Sequence, residues 1–427
     1  MFARLLVLLA CVGLASSLSI PQESFSTTSA SSRAAPLDPY PSQPLLSFGA
    51  STPEKFKLLI ITDTHLLDDQ TVPGNASNVS RASTDAVRQY LEVEKPDYVV
   101  HLGDLVSGEV ANSSAQVRDA VRQILGPAVE KQIPFSTTKG NHDNDVYSTH
   151  GQITDYEHEL APQLTYTRKA PAGVGGGSNG EGSDNYWVPI YPSKDAPRGS
   201  KPALVLWFFD SRSGKQLKSE GNGLIDDWVD SSVAGWINSE VSQQEKAWGS
   251  VLPPSLLFVH IPIQSTNYTQ NLAPYSDEVG GVTDERPESF TSEGKRYEGL
   301  NVDKPLNTQG HGGEAGQYNG QDLPFLNAIT KGKAGKSRLH AIVSGHDHGN
   351  DWCAPSNVTT AAAQVLPLCF GKHSGFGGYD YDPWNHGARI FEFDLDSVDK
   401  SVRTYIRMLT GETRYDTLID DAWAKTS

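Results

Sequence analysis

The stretch AIVSGHDHGND, Ala341 to Asp351, places two histidines directly after an apolar run. The run ends at Gly345, and His346 and His348 follow with one acidic residue between them. The chain contains only 12 histidines, so two of them at one predicted strand end need an explanation. A metal site would explain them, and a polar turn that contains imidazoles by chance is the alternative. The rest of the sequence decides between the two.

Four further apolar runs are also followed by side chains that can bind metals. They lead into Asp63 and His65, into Asp104, into Asn141, His142 and Asp143, and into His260. In open α/β sheets, ligand crevices form at the carboxyl ends of the strands. Residues i and i+2 of an extended chain point the same way, so Asp63 and His65 can face one ion together. Imidazole, carboxylate and amide ligands predict zinc, iron or manganese rather than calcium.

Short apolar runs alternate with helical patterns along the chain. The runs are rich in β-branched and aromatic residues and lie at 56–62, 98–102, 134–137, 203–209, 256–259 and 340–343. Helical patterns lie at 82–94, 115–131, 239–248 and 323–330. This alternation predicts an α/β fold built in layers.

The charge balance restricts the possible partners. With 35 basic and 51 acidic residues the net charge is −16, which argues against nucleic acid, because phosphate backbones are bound by Lys and Arg. A phosphate site would therefore need local positive charge. Two dications held by only two carboxylates, Asp63 and Asp104, keep a positive surplus that supplies this charge.

The first 19 residues read as a secretory signal peptide, with Arg4 followed by an apolar run and then by small residues. A lipoprotein motif at Cys11 is the weaker alternative, because the apolar run continues beyond it. No later stretch reaches 18 apolar residues, so no membrane association is expected. A secreted or secretory-pathway location follows. Cys353 and Cys369 are then the remaining cysteines, and we expect one disulfide between them.

Five sequons agree with a secreted glycoprotein that carries N-glycans at some of them: Asn75, Asn78, Asn112, Asn267 and Asn357. The predicted order of segments is a signal peptide at 1–19, a Ser/Pro-rich flexible leader at 20–53, a main domain at 54–410 and a C-terminal tail at 411–427. Within the main domain, residues 264–321 form a long polar stretch. A loop of that length is usually functional, so we expect it on the substrate side.

The blocks D-x-H, G-D, G-N-H-D, H and G-H-D-H, in this order, resemble the calcineurin-like metallophosphoesterases. The stretches VHIP, GHDHGNDWC and LCFGKHSGFGGYD resemble a secreted fungal and plant subgroup related to purple acid phosphatases. The resemblance covers roughly residues 55 to 410. It implies a four-layer αββα sandwich of two mixed β-sheets flanked by helices.

The resemblance also implies a role for each residue of the blocks. One metal is expected on Asp63, His65 and His348, the other on Asn141, His260 and His346, with Asp104 bridging them. His142 would lie near the leaving group, oriented by Asp143. The expected reaction is hydrolysis of a phosphate ester by a hydroxide that bridges two ions of iron, zinc or manganese.

One departure from purple acid phosphatases concerns colour. Their G-D block continues to a tyrosinate ligand, whereas here it reads Gly103-Asp104-Leu105-Val106-Ser107, and the first block has His65. Without tyrosinate, we expect no purple charge-transfer band.

A phosphomonoesterase acting on a phosphorylated small molecule or phosphoprotein is the favoured function. A phosphodiesterase or nucleotidase on the same metal centre is the alternative, because a fold does not determine its substrate. An inactive binding glycoprotein is a third hypothesis. Residues His101, His158 and His340 are expected to have no ligand role. The roles of His150, His311, His373 and His386 are left open.

Overall fold

Two six-stranded mixed β-sheets form the centre of the protein. The computed structural model describes residues 37–68, 76–177, 179–271, 289–290, 296–297, 307–314, 316–380 and 384–425, which lie in the compact unit Pro36–Ser427. The first sheet contains β1 (Lys55–Ile61), β2 (Tyr98–Leu102), β3 (Phe135–Thr138), β12 (Gly387–Asp394), β13 (Val402–Met408) and β14 (Thr413–Ile419), in the order β14-β13-β12-β1-β2-β3.

The second sheet contains β4 (Tyr186–Ile190), β5 (Leu204–Phe209), β6 (Ser255–Val259), β9 (Leu339–Ser344), β10 (Cys353–Thr359) and β11 (Val365–Phe370), in the order β10-β11-β9-β6-β5-β4. Two short strands, β7 (Ser289–Phe290) and β8 (Arg296–Tyr297), pair with each other. The helices are α1 (Ala76–Glu94), α2 (Ser114–Glu130), α3 (His150–Leu160), α4 (Ser231–Trp248), α5 (Gln264–Asn271), α6 (Leu323–Thr330) and α7 (Asp421–Lys425).

Parallel pairing brings the strand ends of each sheet to a common edge. β1 pairs with β2 in parallel, and β2 pairs with β3 in parallel. In the second sheet, β5, β6, β9 and β11 are also mutually parallel. These strands are almost wholly buried, as expected for β-branched and aromatic runs covered on both faces.

Three hydrophobic clusters show the order of the layers. One lies between the sheets and contains Ile60 of the first sheet and Phe258 of the second. A second places Val87 of α1 and Ile124 of α2 against the outer face of the first sheet, and a third places α4 and α6 against the second sheet through residues such as Ile237. The predicted four-layer αββα sandwich is confirmed.

The structure corrects three of the predicted boundaries. The tail predicted at 411–427 contains β14, which pairs antiparallel with β13, so the sheet extends beyond residue 410. The leader predicted at 20–53 buries Tyr40 and Phe48 in the core, since apolar side chains there complete the layer between the sheets. The stretch predicted at 264–321 as a loop begins with helix α5. The predicted signal peptide and Asn75 lie outside the described residues.

Cys353 of β10 and Cys369 of β11 face each other across an antiparallel pair and form a disulfide with an Sγ–Sγ distance of 2.07 Å. The predicted bridge is therefore present. None of the helices that the structure describes is both long and apolar enough to cross a bilayer.

Candidate metal centre

The seven predicted ligands lie together at the edge where the strands of both sheets end. Asp63 and His65 follow β1, Asp104 follows β2, Asn141 follows β3, His260 follows β6, and His346 and His348 follow β9. The first four belong to the first sheet and the last three to the second. The site therefore lies across the seam between the two sheets.

The side chains form two adjoining groups whose ligand atoms lie within 4.8 Å of one another. These are Asp63, His65 and His348 in one group and Asp104, His260 and His346 in the other. Asp104 Oδ2 lies 3.1 Å from His260 Nε2 and 3.5 Å from His65 Nε2. The carboxylate of Asp104 is thus between the two groups, as a bridging ligand must be.

Three imidazole rings use Nδ1 for a hydrogen bond, so their Nε2 atoms remain to face the metal centre. His65 Nδ1 lies 3.0 Å from Ser107 Oγ, and His260 Nδ1 lies 2.8 Å from the carbonyl oxygen of Leu102. His348 Nδ1 donates to the carbonyl oxygen of Tyr379. Such partners fix the tautomer and the ring orientation of histidine ligands.

Two buried polar atoms of the site have no hydrogen-bond partner among the described residues. They are His65 Nε2 and Asn141 Oδ1. Burying a polar atom without a partner costs free energy, and a bound cation would remove that cost. The donor set of imidazole nitrogens, two carboxylates and one amide oxygen therefore fits a pair of transition-metal ions.

The electrostatics of the site favour neutral imidazoles. Burial lowers the pKa of His65 and His348 well below the ordinary value, and it lowers the pKa of His346 to about 3. A neutral ring keeps the lone pair that binds a metal.

Asp104 and His260 shift each other in opposite directions. Burial pushes the pKa of Asp104 upward, but nearby His260 and His142 outweigh burial and hold it well below its usual range. Burial pushes the pKa of His260 downward, but the negative charge of Asp104 outweighs it and raises that pKa to about 10. A bound cation would compensate the same negative charge in place of the proton.

Four of the ligands have a backbone conformation that favours glycine. The φ angles are 55° at Asp63, 44° at His65, 48° at Asp104 and 76° at His346. Holding a residue other than glycine in this left-handed region costs free energy, and such residues concentrate at functional sites. Here the sharp turn directs each side chain from a strand end into the crevice.

Gly140 is required by close packing rather than by its backbone angles. A Cβ atom there would lie 2.3 Å from Asp104 Oδ1 and 2.6 Å from His260 Nε2. Any larger residue would therefore displace two of the ligands.

His142 lies beside the centre and contacts Glu109, which the sequence analysis did not identify. His142 Nδ1 lies 2.8 Å from Glu109 Oε1. Burial pushes the pKa of His142 downward, but Asp104 and Glu109 outweigh burial and raise it to about 9.

The predicted contact between Asp143 and His142 is not the one in the structure. Asp143 accepts hydrogen bonds from the backbone N–H groups of Gly140, Leu105 and Val106. Both of its oxygens are used in joining the turns after β2 and β3, and the carboxylate beside the His142 ring is that of Glu109. Asp143 therefore positions the turns, not the imidazole.

Ser107 ends the block in which the sequence lacks a tyrosine. Its hydroxyl contacts His65 Nδ1 and is buried. This hydroxyl thus supports His65, the additional histidine of the first block.

The other histidines lie outside the two groups. His101 and His340 are buried in β2 and β9, and His158 Nε2 lies 2.8 Å from the carbonyl oxygen of Thr167. His150 connects Asp210 to the carbonyl of Gly140 and so supports the turn that carries Asn141. His311 contacts Gln264.

Comparisons with known proteins agree with this geometry. A model of the calcineurin-like phosphoesterases matches residues 56–350. The chain is 26% identical over 363 residues to a protein of Arabidopsis thaliana named probable inactive purple acid phosphatase 14, a match that covers 82% of this chain and 77% of that protein. It is 24% identical over 363 residues to phosphatase DCR2 of Saccharomyces cerevisiae, covering 83% of this chain and 54% of that protein.

A solved structure is also similar. Purple acid phosphatase PPD1 from seeds of yellow lupin, Lupinus luteus, shares 13% identity with a TM-score of 0.43, over 90% of this chain and 55% of that one. The chain thus spans about half the length of this solved protein.

Proposed function

The chain belongs to the calcineurin-like phosphoesterase family, and on this premise we propose that it is a metal-dependent hydrolase of phosphate monoesters. The resemblance carried by the five motif blocks is thereby confirmed. The observation that best supports catalysis is that six of the seven proposed ligands form two adjoining groups, with the far nitrogens of three rings already occupied by hydrogen bonds. The seventh, Asn141, follows β3 at the same edge.

The proposed holders of the two ions are Asp63, His65 and His348 for one, and Asn141, His260 and His346 for the other, with Asp104 shared. When bound, the two ions would supply the Lewis acidity that activates water and stabilises charge on phosphoryl oxygens. The same ligands suit iron, zinc and manganese.

His142 is the proposed proton donor to the leaving group. Glu109 raises the pKa of its ring, and this contribution remains when bound ions compensate the charge of Asp104. The carboxylate of Glu109 also holds Nδ1, so that Nε2 can face a substrate. A protonated imidazole beside the departing oxygen would neutralise the alkoxide as it forms.

An open cleft of about 270 Å³ beside His142 would receive the rest of the substrate. Its walls include Glu109, Lys215, Leu224 and Ile225, which combine apolar surface with charges of both signs. Such a wall suits a phosphorylated small molecule or the phosphorylated side chain of a protein.

Secretion is part of the same proposal. The disulfide supports an oxidising compartment. Of the sequons, Asn78, Asn112 and Asn357 are exposed, and Asn267 is half-buried. The three exposed asparagines are the proposed sites of N-glycans.

The competing function is a binding glycoprotein without activity, since the names of several relatives include the word inactive. The test compares the hydrolysis of 4-nitrophenyl phosphate and bis(4-nitrophenyl) phosphate, with and without a chelator. We expect faster cleavage of the monoester, loss of activity with chelator, and recovery when metal is restored.

His142→Ala is the matched variant for this test. It should keep both ions but lose about 10²–10⁴-fold in the cleavage of esters with poor leaving groups. Faster diester cleavage would favour a phosphodiesterase or nucleotidase, and no cleavage by fully metallated protein would favour the binding glycoprotein.

A further inference from the structure

A third group of metal-binding side chains lies behind the centre, in the segment between β11 and β12. His373, Asp380 and His386 place one ligand atom each within 4.8 Å of one another. Their side chains are 1%, 20% and 12% exposed, respectively. None of the three is a ligand in the proposed dinuclear centre.

The Nδ1 atom of His373 lies near the carboxylate of Asp380 without forming a hydrogen bond to it. His373 Nε2 donates to the carbonyl oxygen of Gly377 over 2.9 Å, which leaves Nδ1 as the nitrogen available to a metal ion. Nδ1 is buried and has no hydrogen-bond partner among the described residues. It lies 3.8 Å from Asp380 Oδ1, which is too far for a hydrogen bond.

The third member points to the same place. His386 Nε2 lies 3.4 Å from Asp380 Oδ2. The nearby cation Lys372 lies 3.6 Å from Asp351, and this pairing reduces its repulsion of a bound ion.

The spacing of these atoms matches that of the main centre. Separations of 3.4 and 3.8 Å fall within the range of 3.1–3.9 Å between carboxylate oxygens and imidazole nitrogens there. Ligands at about 2.1 Å from a tetrahedral zinc ion lie about 3.4 Å apart. We propose that His373, Asp380 and His386 bind a third, divalent transition-metal ion, and zinc is the ion that we would test.

The position of this site suggests what the ion does. The His373 ring packs against the His348 ring with 4.1 Å between centroids. Tyr379, next to Asp380, accepts the Nδ1–H of His348. A cation on Asp380 would therefore fix two contacts of His348: the packing of the His373 ring against it and the hydrogen bond to the carbonyl oxygen of Tyr379. Its role is structural positioning of a ligand rather than contact with substrate.

The test is the zinc content of the full-length protein after saturation with Zn²⁺ and gel filtration, measured by plasma mass spectrometry. We expect three ions per chain in the wild type and two in Asp380→Asn and in His386→Ala. His158→Ala, a control outside the site, should retain three. Asp104→Ala should retain the one ion bound outside the dinuclear centre.

Anomalous diffraction at the zinc edge then locates the ions. A peak between His373 Nδ1 and Asp380 supports the inference, and its absence from crystals of zinc-saturated protein overturns it. Unchanged zinc content in folded Asp380→Asn protein also overturns it. If the dinuclear centre itself binds no zinc, the wild type should hold one ion that Asp380→Asn loses, so the two proposals fail separately.

Discussion

Replacing Glu109 with Gln tests how the proton of His142 is controlled. The variant keeps the size of the side chain and an acceptor oxygen beside His142 Nδ1, 2.8 Å away in the wild type, but removes the negative charge. Because Glu109 raises the pKa of His142, its neutralisation should lower that pKa. His142 acts in its protonated form, so activity on the basic side should be lost at a lower pH than in the wild type.

The expected size follows from the geometry. A hydrogen bond to a charged group contributes roughly 1.5–3 kcal/mol when well shielded. The two side chains are 36% and 24% exposed, so solvent screening reduces this contribution. We expect about 1.4 kcal/mol, which corresponds to about one pKa unit and a tenfold change in the protonated fraction above the pKa.

The assay is kcat/KM against pH for an alkyl phosphate and for 4-nitrophenyl phosphate. The basic limb should move down by about one pH unit, and the alkyl ester should lose more activity because its leaving group needs the proton. Glu245→Gln is the matched control, since Glu245 lies on α4, is 22% exposed and pairs with Lys333. An unshifted basic limb in fully metallated Glu109→Gln protein would refute the reasoning.

Three further predictions concern the ligands, the colour and the disulfide. Gly140→Ala should weaken metal binding about 10-fold or more by displacing two ligands, whereas Gly235→Ala, where an added Cβ meets nothing within 4 Å, should bind metal normally in titration calorimetry. Iron-loaded protein should show no tyrosinate charge-transfer band, because none of the seven proposed ligands is a tyrosine; such a band in the absorption spectrum would contradict this assignment. Replacing both Cys353 and Cys369 with Ser should lower the free energy of unfolding by about 3 kcal/mol for a loop of 16 residues; a chemical denaturation curve that matches the wild type would exclude a stabilising role.

The sequence predicted the buried parallel strands and the ligands at their ends because both have strong local signals. β1 and β9 are continuous apolar runs, and each is followed by a turn and a metal-binding side chain. The outer strands lack such a signal. β14 reads TRYDTLI and alternates between exposed and half-buried residues before one buried residue at its end, so its polar composition resembles that of a tail.

The sequence pattern also could not predict contacts between turns that are far apart along the chain. Glu109 lies five residues after Asp104, in a short turn whose residue Gly108 donates to the carbonyl of His142. Nothing in the local pattern indicates that this turn returns to the one after β3. Asp143 was predicted beside His142 on the family resemblance, yet its carboxylate accepts hydrogen bonds from backbone N–H groups of the two turns instead.

The distribution of ligands over both sheets has a mechanical consequence. At their centre the two sheets pack through a cluster of apolar side chains, and the rim where the strands end brings carboxylates close together. Cations bound there would cross-link the two sheets at this rim, because each ion would take ligands from both of them. Because the ions would bind the folded form and not the unfolded chain, their binding would also raise the free energy of unfolding of the whole domain by mass action.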